Sequence, residues 1–397
     1  MFTHRLRLGV AMASGLAMIA LVSGCQSSHK EQVPQAPATV PKGTLTAVTS
    51  DAAFVYLDGK WEVLAGGGPN DQPSDPLKTI DFSPKGTLTA TTVGSNDDAL
   101  TGNSVGLWLY DKGWQQVTPN GDKTVAVYGW SPSNVLYAIP DDGQTKGIWY
   151  QSNGKWQVVN GSASFGFINS IQWSPTGIMT IVAEASDGSS SVWQYVNGKW
   201  DRLDYSSVPF AADGLQVEWS PSGVLTLATS AHGVWQYVGG SWSQPGGVNS
   251  PIGNVTQLAW SPQGELLISG DSKKALGLWQ LQNTGWSRVG GADAPFAKDG
   301  IRQFGWSPTG TLTVSDSTNG KIYQMESGKW TAVWNNTPSD SHSVIPITFG
   351  WSPSGLLTCN GGFLGGIWQY QSGTWNEVGG DNSPLKNQAA APFAWSK

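Results

Sequence analysis

The chain has 397 residues, among them 51 Gly, 22 Trp and 2 Cys, and a formal net charge of −6. Charged residues make up 13%, well below the roughly 25% usual in soluble proteins. So few Lys and Arg in a net-acidic chain exclude an electrostatic footprint for nucleic acid or a polybasic patch for anionic lipid, and two Cys exclude a disulfide framework.

Residues 1–24 read as a targeting segment. Arg5 and Arg7 precede an apolar run over 8–22 that is too short for a comfortable membrane span. The run ends in "LVSGC" (Val22, Ser23, Gly24, Cys25), which resembles the bacterial lipobox. That resemblance implies a lipoprotein signal peptide, with Cys25 as the lipidated first residue of an extracytoplasmic protein held at a bacterial membrane by its acyl chains, at the cell surface or in the periplasm. Residues 25–40, polar and carrying Pro34 and Pro37, read as a flexible tether with a reach of roughly 50 Å when extended.

From Pro41 onward one pattern recurs. A strand ending in an aromatic residue and Ser falls at Phe82, Trp130, Trp173, Trp219, Trp260, Trp306, Trp351 and Trp395, about 45 residues apart. An alternating strand follows, such as "TLTV" with Leu312 and Val314 on one face and Thr311 and Thr313 on the other, and reads as half-buried. A third strand carries Tyr56, Trp108, Trp149, Trp193, Trp235, Trp279, Tyr323 or Trp368. A tight hairpin comes next, for which Asp58-Gly59, Asn153-Gly154 and Asn197-Gly198 favour the type I′ turn. A fourth strand carries Trp61, Trp114, Trp156, Trp200, Trp242, Trp286, Trp330 or Trp375. These columns absorb every Trp except Trp334.

Four antiparallel strands every 45 residues, with no helical period, predict an all-β fold: an eight-bladed β-propeller of four-stranded antiparallel blades spanning 41–397. The aromatic columns fill the gaps between stacked blades, each buried ring contributing about 2–3 kcal/mol. The body starts at "PKGTLTAV" without a first strand and stops at "PFAWSK", which is only a first strand. Residues about 391–396 are therefore expected to pair beside 44–48, closing the ring with strands from both termini. Cys359 shares a column with Ala47, Ala90, Ala138, Ile181, Leu227, Ile268 and Val314, which predicts a buried, inert thiol.

The "WSPxG" half of each repeat resembles the blades of the Tol-system periplasmic propeller and of WD-repeat-like bacterial propellers, and the "GxWQYxxGxW" half resembles tachylectin and tectonin lectin repeats. The lipidated eight-blade plan is similar to the propeller lipoprotein of outer-membrane barrel assembly, although the blade motifs differ. Neither a blade-closing "WD" dipeptide nor a sialidase-type Asp box is present. The resemblance implies the fold; any shared role is analogy.

The turns "SPxG" and "NGK" are short and alike in every copy, whereas the second-to-third-strand and inter-blade connections vary. Binding residues are expected on that variable face. The candidates are Asp97, Asp98, Asp141, Asp142, Asp187, Phe210, His232, Asp271, Phe296, Asp316, Trp334, His342 and Phe363. Asp beside Gly and Ser also serves as a turn former, and Phe210 and Phe296, in "PFAADG" and "PFAKDG", also serve as plugs of the blade top. Trp334 is either an exposed stacking face or strand-end packing. No metal loop of the "DxDxDG" type, no "GxSxG", no "HExxH" and no phosphate loop occurs, and Glu184, Glu218 and Glu265 are scattered. The chain is accordingly expected to be a monomeric, non-enzymatic binding or scaffolding module for envelope proteins, without cofactor or metal and touching membrane only through the lipid on Cys25. A lectin-like glycan-binding propeller is the alternative, and a hydrolase with a carboxylate site on the variable face the third reading. Because the variable loops differ in every copy, one composite site is favoured over eight equal ones.

Overall fold

A computed structural model describes residues 39–49, 52–64, 73, 77–93, 104–119, 124–140, 146–184, 190–203, 216–229, 231–245, 251–270, 276–283, 285–297, 300–318, 320–334, 348–361, 365–386, 388 and 392–397. Nearly all of the structured part is β: eight four-stranded antiparallel sheets, the blades of an eight-bladed β-propeller. Blade 1 comprises 45–63 with 393–395, and blades 2 to 8 comprise 77–116, 125–158, 168–202, 216–243, 255–288, 301–334 and 349–377. The chain divides into two compact units. Blades 3 to 7 lie in the unit 119–335, and blades 8, 1 and 2 lie in the other.

In the second unit the termini share one sheet. Leu45, Thr46 and Ala47 pair antiparallel with Trp395, Ala394 and Phe393. Every complete blade fixes its Ser-Pro turn with three bonds. In blade 5 the Ser220 N–H donates to the Val224 carbonyl (2.9 Å), the Gly223 N–H to the Ser220 carbonyl (2.9 Å), and the Val224 N–H to Ser220 Oγ (2.8 Å). Blade 1 reproduces that turn across the chain ends: Ser396 N–H donates to the Thr44 carbonyl (3.0 Å), Gly43 N–H to the Ser396 carbonyl (3.1 Å), and Thr44 N–H to Ser396 Oγ (2.8 Å). The paired-termini expectation thus holds to the level of single hydrogen bonds.

The second strands are buried on both faces, Tyr137 of Leu136–Pro140 being half-buried. In Leu312–Asp316, Thr313 and Ser315 are as covered as Val314, and Leu45–Val48 and Leu225–Ala228 show the same pattern. Within each unit successive sheets pack on one another, so small Thr residues fill the face that the alternation assigned to solvent. The Cys359 column behaves as expected. Cys359 and its equivalents Ala47, Ala90, Ala138, Ile181, Leu227, Ile268 and Val314 are all buried, and burial pushes the thiol well above its ordinary value.

The hairpins before the fourth strands also match their residues. Asp58 and Gly59 (φ 48° and 81°), Asn153 and Gly154 (50° and 72°), and Asn197 and Gly198 (51° and 79°) take positive φ at both central positions, as a type I′ turn requires. Three short 3-10 helices, Ser162–Ser164, Gly291–Asp293 and Gly380–Asn382, are invisible to a period search. Each follows a left-handed glycine on which the next blade's indole rests. A Cβ at Gly290 would lie 2.4 Å from Trp330 Nε1, and one at Gly379 would lie 2.5 Å from Trp61 Cδ1. The recurring glycine after the fourth strand is therefore a seat for tryptophan.

The fourth-strand tryptophans do more than fill space. Trp61 Nε1 donates to the Val378 carbonyl (2.8 Å), Trp114 to Leu64 (2.8 Å), Trp200 to Asn160 (2.9 Å) and Trp286 to Pro245 (3.1 Å), each time onto the preceding blade just past its fourth strand. Trp114→Phe keeps the ring stack on Tyr110 (5.2 Å) but strands the Leu64 carbonyl. The stranded carbonyl should cost about 1–3 kcal/mol on top of the packing lost with the smaller ring, read as a lowered urea midpoint.

Candidate functional site

Within the unit 119–335 the first strands of successive blades pack side by side. Each runs into its rigid Ser-Pro turn, which holds the preceding Trp and the Pro in fixed positions. Gly177, Gly223 and Gly264 close these turns at φ 86–89°, and Asn134 takes the same role in blade 3 at φ 66°. Where the turns of blades 3 to 6 converge they border an open cleft of about 420 Å³, lined by Pro132, Trp173 to Pro175, Glu218 to Pro221 and Ala259 to Pro262.

Glu218 is the one ionisable group in that lining. It sits on the strand Gln216–Trp219, half-buried. Burial pushes its carboxyl up to about 7, and no charge contributes. It has no hydrogen-bond or ion-pair partner among the described residues. Its column, the residue before the aromatic, holds Asp81, Gly129, Gln172, Glu218, Ala259, Gly305, Gly350 and Ala394. Of the two acids there, Asp81 is engaged locally, accepting from the Phe82 N–H (2.7 Å). The indole N–H groups of Trp219 and Trp260 are buried and without partners among the described residues. The Ser hydroxyls of the lining serve their own turns. Ser174 Oγ accepts from the Ile178 N–H (2.9 Å) and pairs with Thr176 Oγ1 (2.9 Å), while Ser220 Oγ pairs with Ser222 Oγ (3.0 Å) and Ser261 Oγ accepts from the Glu265 N–H (2.9 Å).

A second cleft of about 520 Å³ adjoins the first between blades 3 and 4, sharing Pro132, Trp173 and Pro175. It is lined by Tyr137, Met179 and Tyr195 as well. Tyr137 lies 5.2 Å from Trp173 and 5.9 Å from Tyr150. Burial first, then the neighbouring Tyr150 and Tyr195, raise its phenol above the ordinary value. Its column elsewhere carries Thr46, Thr89, Thr180, Thr226, Leu267, Thr313 and Thr358, so Tyr137 is the departure that remodels this junction.

Of the candidates read from the sequence, Cys25, Asp97, Asp98, Asp141, Asp142, Asp187, Phe210, Asp271, His342 and Phe363 lie outside the described residues. The other four do not line either cleft. Phe296 is fully buried, its ring edge-on to Trp330 (4.7 Å, 87°), which is the plugging arrangement. Trp334, 8% exposed, is strand-end packing and offers no open stacking face. Asp316 is fully buried at the end of Leu312–Asp316, its N–H donating to the Lys321 carbonyl (3.0 Å). His232 is half-buried in the turn after Ala228. Its carbonyl accepts from Trp235 Nε1 (3.1 Å) and Gln244 Nε2 (3.3 Å), and its Nδ1 is buried without a partner among the described residues. Glu218 was visible in the sequence only as one scattered carboxylate. The signal that singles it out is its column, where acids are the exception.

The WD40 family description, "WD domain, G-beta repeat", matches residues 248–280, which hold the first two strands of blade 6 and the start of the third. No curated protein matches the sequence. Similar solved structures include virginiamycin B lyase from Staphylococcus aureus (11% identity, 71% of this chain and 90% of that chain, TM-score 0.46). Others are the β-propeller domain of Cps50 (Swd1) from Myceliophteria thermophila (14%, 74% and 95%, TM-score 0.45) and a chain of a Mitotic Checkpoint Complex (13%, 87% and 95%, TM-score 0.45). The chain is an eight-bladed β-propeller in which one stretch, in blade 6, matches a WD40 repeat. A fold by itself decides nothing between binding and catalysis.

Proposed function

We propose that the protein is a membrane-tethered, extracytoplasmic propeller that binds or scaffolds envelope proteins and is not an enzyme, with the Ser-Pro cleft of blades 3 to 6 as its described binding site. One observation carries this reading: the cleft is composite. Blade 3 gives Pro132 alone, blade 4 Trp173 to Pro175, and blades 5 and 6 add Glu218 and Ala259 to their Trp-Ser-Pro, so the lining differs blade by blade. A lectin of equal repeats would present like pockets in most blades; a cleft of unlike contributions suits one partner. The WD-repeat-like fold is consistent with such a module.

A photo-crosslinking residue at Pro221, in the cleft, should capture one discrete envelope protein in living cells. The same residue at Val238, 55% exposed on a hairpin, should not, and Trp260→Ala should abolish the Pro221 product. Glycan binding by the pure body, with equal cross-linking from both positions, would replace this reading with the lectin one. Incorporation of an alkyne-tagged palmitate, lost in Cys25→Ser, tests the anchor separately.

A further inference from the structure

We infer that the cleft at the Ser-Pro turns of blades 3 to 6 takes a methylated ammonium group, with Glu218 as its counter-charge and the indoles of Trp173, Trp219 and Trp260 as its walls. The inference rests on the cleft being the binding site, as proposed above, and names the chemistry it selects.

The lining excludes the alternatives one by one. An anion would meet a carboxyl and no cation. A sugar needs several hydrogen-bonding partners, and the Ser174, Ser220 and Ser261 hydroxyls are already engaged in their own turns. A guanidinium carries five donors in a planar fork, more than one carboxylate and turn backbone satisfy in a half-buried site. A methylated ammonium needs no acceptor at all. It needs aromatic surface, for which indole is the strongest of the side chains, and one negative charge. The cleft supplies both, with Pro132, Pro175, Pro221 and Pro262 as an apolar rim for the methyl groups. Trp173 is held from behind by Tyr137 at 5.2 Å. The volume of about 420 Å³ suits a small head group, at the lower end of the range for ligand pockets.

The cation also accounts for the carboxyl. Glu218 is half-buried and unpartnered among the described residues, a costly state for a charge. Among the described residues the neighbouring strands Ile168–Trp173, Leu225–Ala228 and Val255–Trp260 carry no acid, base or Tyr, Gln216, Val217 and Trp219 complete its own strand, and Tyr237 is the titratable side chain of the core cluster that holds Val217 and Trp219. With the group near 7 when empty, a cation selects the ionised form, so affinity rises with pH.

The test is calorimetric titration of the full chain with tetramethylammonium, against the neutral isostere 3,3-dimethylbutanol. Affinity for the cation should increase about 30-fold between pH 5.5 and pH 8, following the ionised fraction of a group near 7. Glu218→Gln should lower it at least tenfold at pH 8 and flatten the pH profile. Trp260→Leu should weaken it at every pH while keeping the profile, which separates the wall from the charge. Phosphocholine and the amide of N-acetyl-trimethyllysine then tell a lipid head group from a modified protein side chain. Equal binding of the isostere, or a Glu218→Gln variant that binds as before, overturns the inference. If tetramethylammonium fails while cross-linking from Pro221 persists, the ammonium chemistry is wrong and the binding-module reading stands. If both fail, both fall.

Discussion

Deleting Pro392 to Lys397 should lower the midpoint of thermal unfolding by at least about 10 °C in a chain of this size. The segment supplies the first strand of blade 1, and its loss exposes the full edge of Leu45–Val48. Three kinds of interaction go together. Backbone bonds disappear, among them Val48 N–H to the Pro392 carbonyl (3.0 Å) and Gly43 N–H to that of Ser396 (3.1 Å). The rings of Phe393 and Trp395 leave a core that includes Leu45, Ala47, Ile367, Val378 and Leu385. The Thr44 N–H, buried and held at 2.8 Å by Ser396 Oγ, is left without an acceptor. These half-buried rings are worth up to about 2–3 kcal/mol each and a stranded donor about 1–3, so the sum is a large part of the 5–15 kcal/mol by which domains are stable. Ser396→Ala isolates the turn and should cost only the smaller share. A peptide of residues 388–397 added to the truncated protein should restore part of the lost midpoint. An unchanged midpoint after truncation would mean that the terminal strand is an ornament on a blade that holds without it.

The sheet order, the closing strand and the burial of Cys359 were legible because each rests on a column: eight residues obeying one rule expose that rule even in a single chain. Burial on both faces of the second strand was not, because Thr313 reads as solvent-facing until the sheet stacked over it is known. The glycine seats were hidden for the same reason, since Gly290 looks like a turn residue until Trp330 of the next blade is placed upon it. The cleft was missed by the same column logic that found the fold. Trp173, Trp219 and Trp260 belong to a repeated register and read as glue between blades. What makes them walls is the convergence of four turns, a matter of strand tilt that no spacing records. Of the variable-face candidates, Trp334 and Phe296 take the packing alternatives that the sequence left open. Trp334 stood out because no column claimed it, yet it is buried at its strand end. Uniqueness in sequence marks an exception to the repeat, and burial is decided by neighbours.

Replacing Glu218 with Gln should stabilise the protein above pH 7 by about 2–3 kcal/mol and change little near pH 4. The sign follows from which state holds the proton. In the folded chain the carboxyl keeps it up to about 7, against 4.5 for an ordinary glutamate, because burial disfavours the charge. Between those values the unfolded chain has released a proton that the folded chain retains, so rising pH favours unfolding. This part of the stability is complete below about 4.5, declines through the interval up to about 7, and is constant above it. Gln keeps the shape of the neutral carboxyl and cannot ionise, so the variant escapes the decline. Urea midpoints of both proteins at pH 4.5, 6, 7 and 8.5 give a difference curve from which every other carboxylate cancels. That curve should rise across the interval and level off. Tetramethylammonium at saturating concentration should shrink the difference at pH 8.5, because a bound cation offsets the burial penalty in the wild type and finds no charge in the variant. Such a residue destabilises the fold at neutral pH and serves no packing purpose that Gln172 or Ala259 does not serve in its own blade, which is how a binding group differs from a structural one. Parallel midpoints across the whole range would show that Glu218 is solvated, and the cleft would lose its one charged group as a means of selecting a ligand.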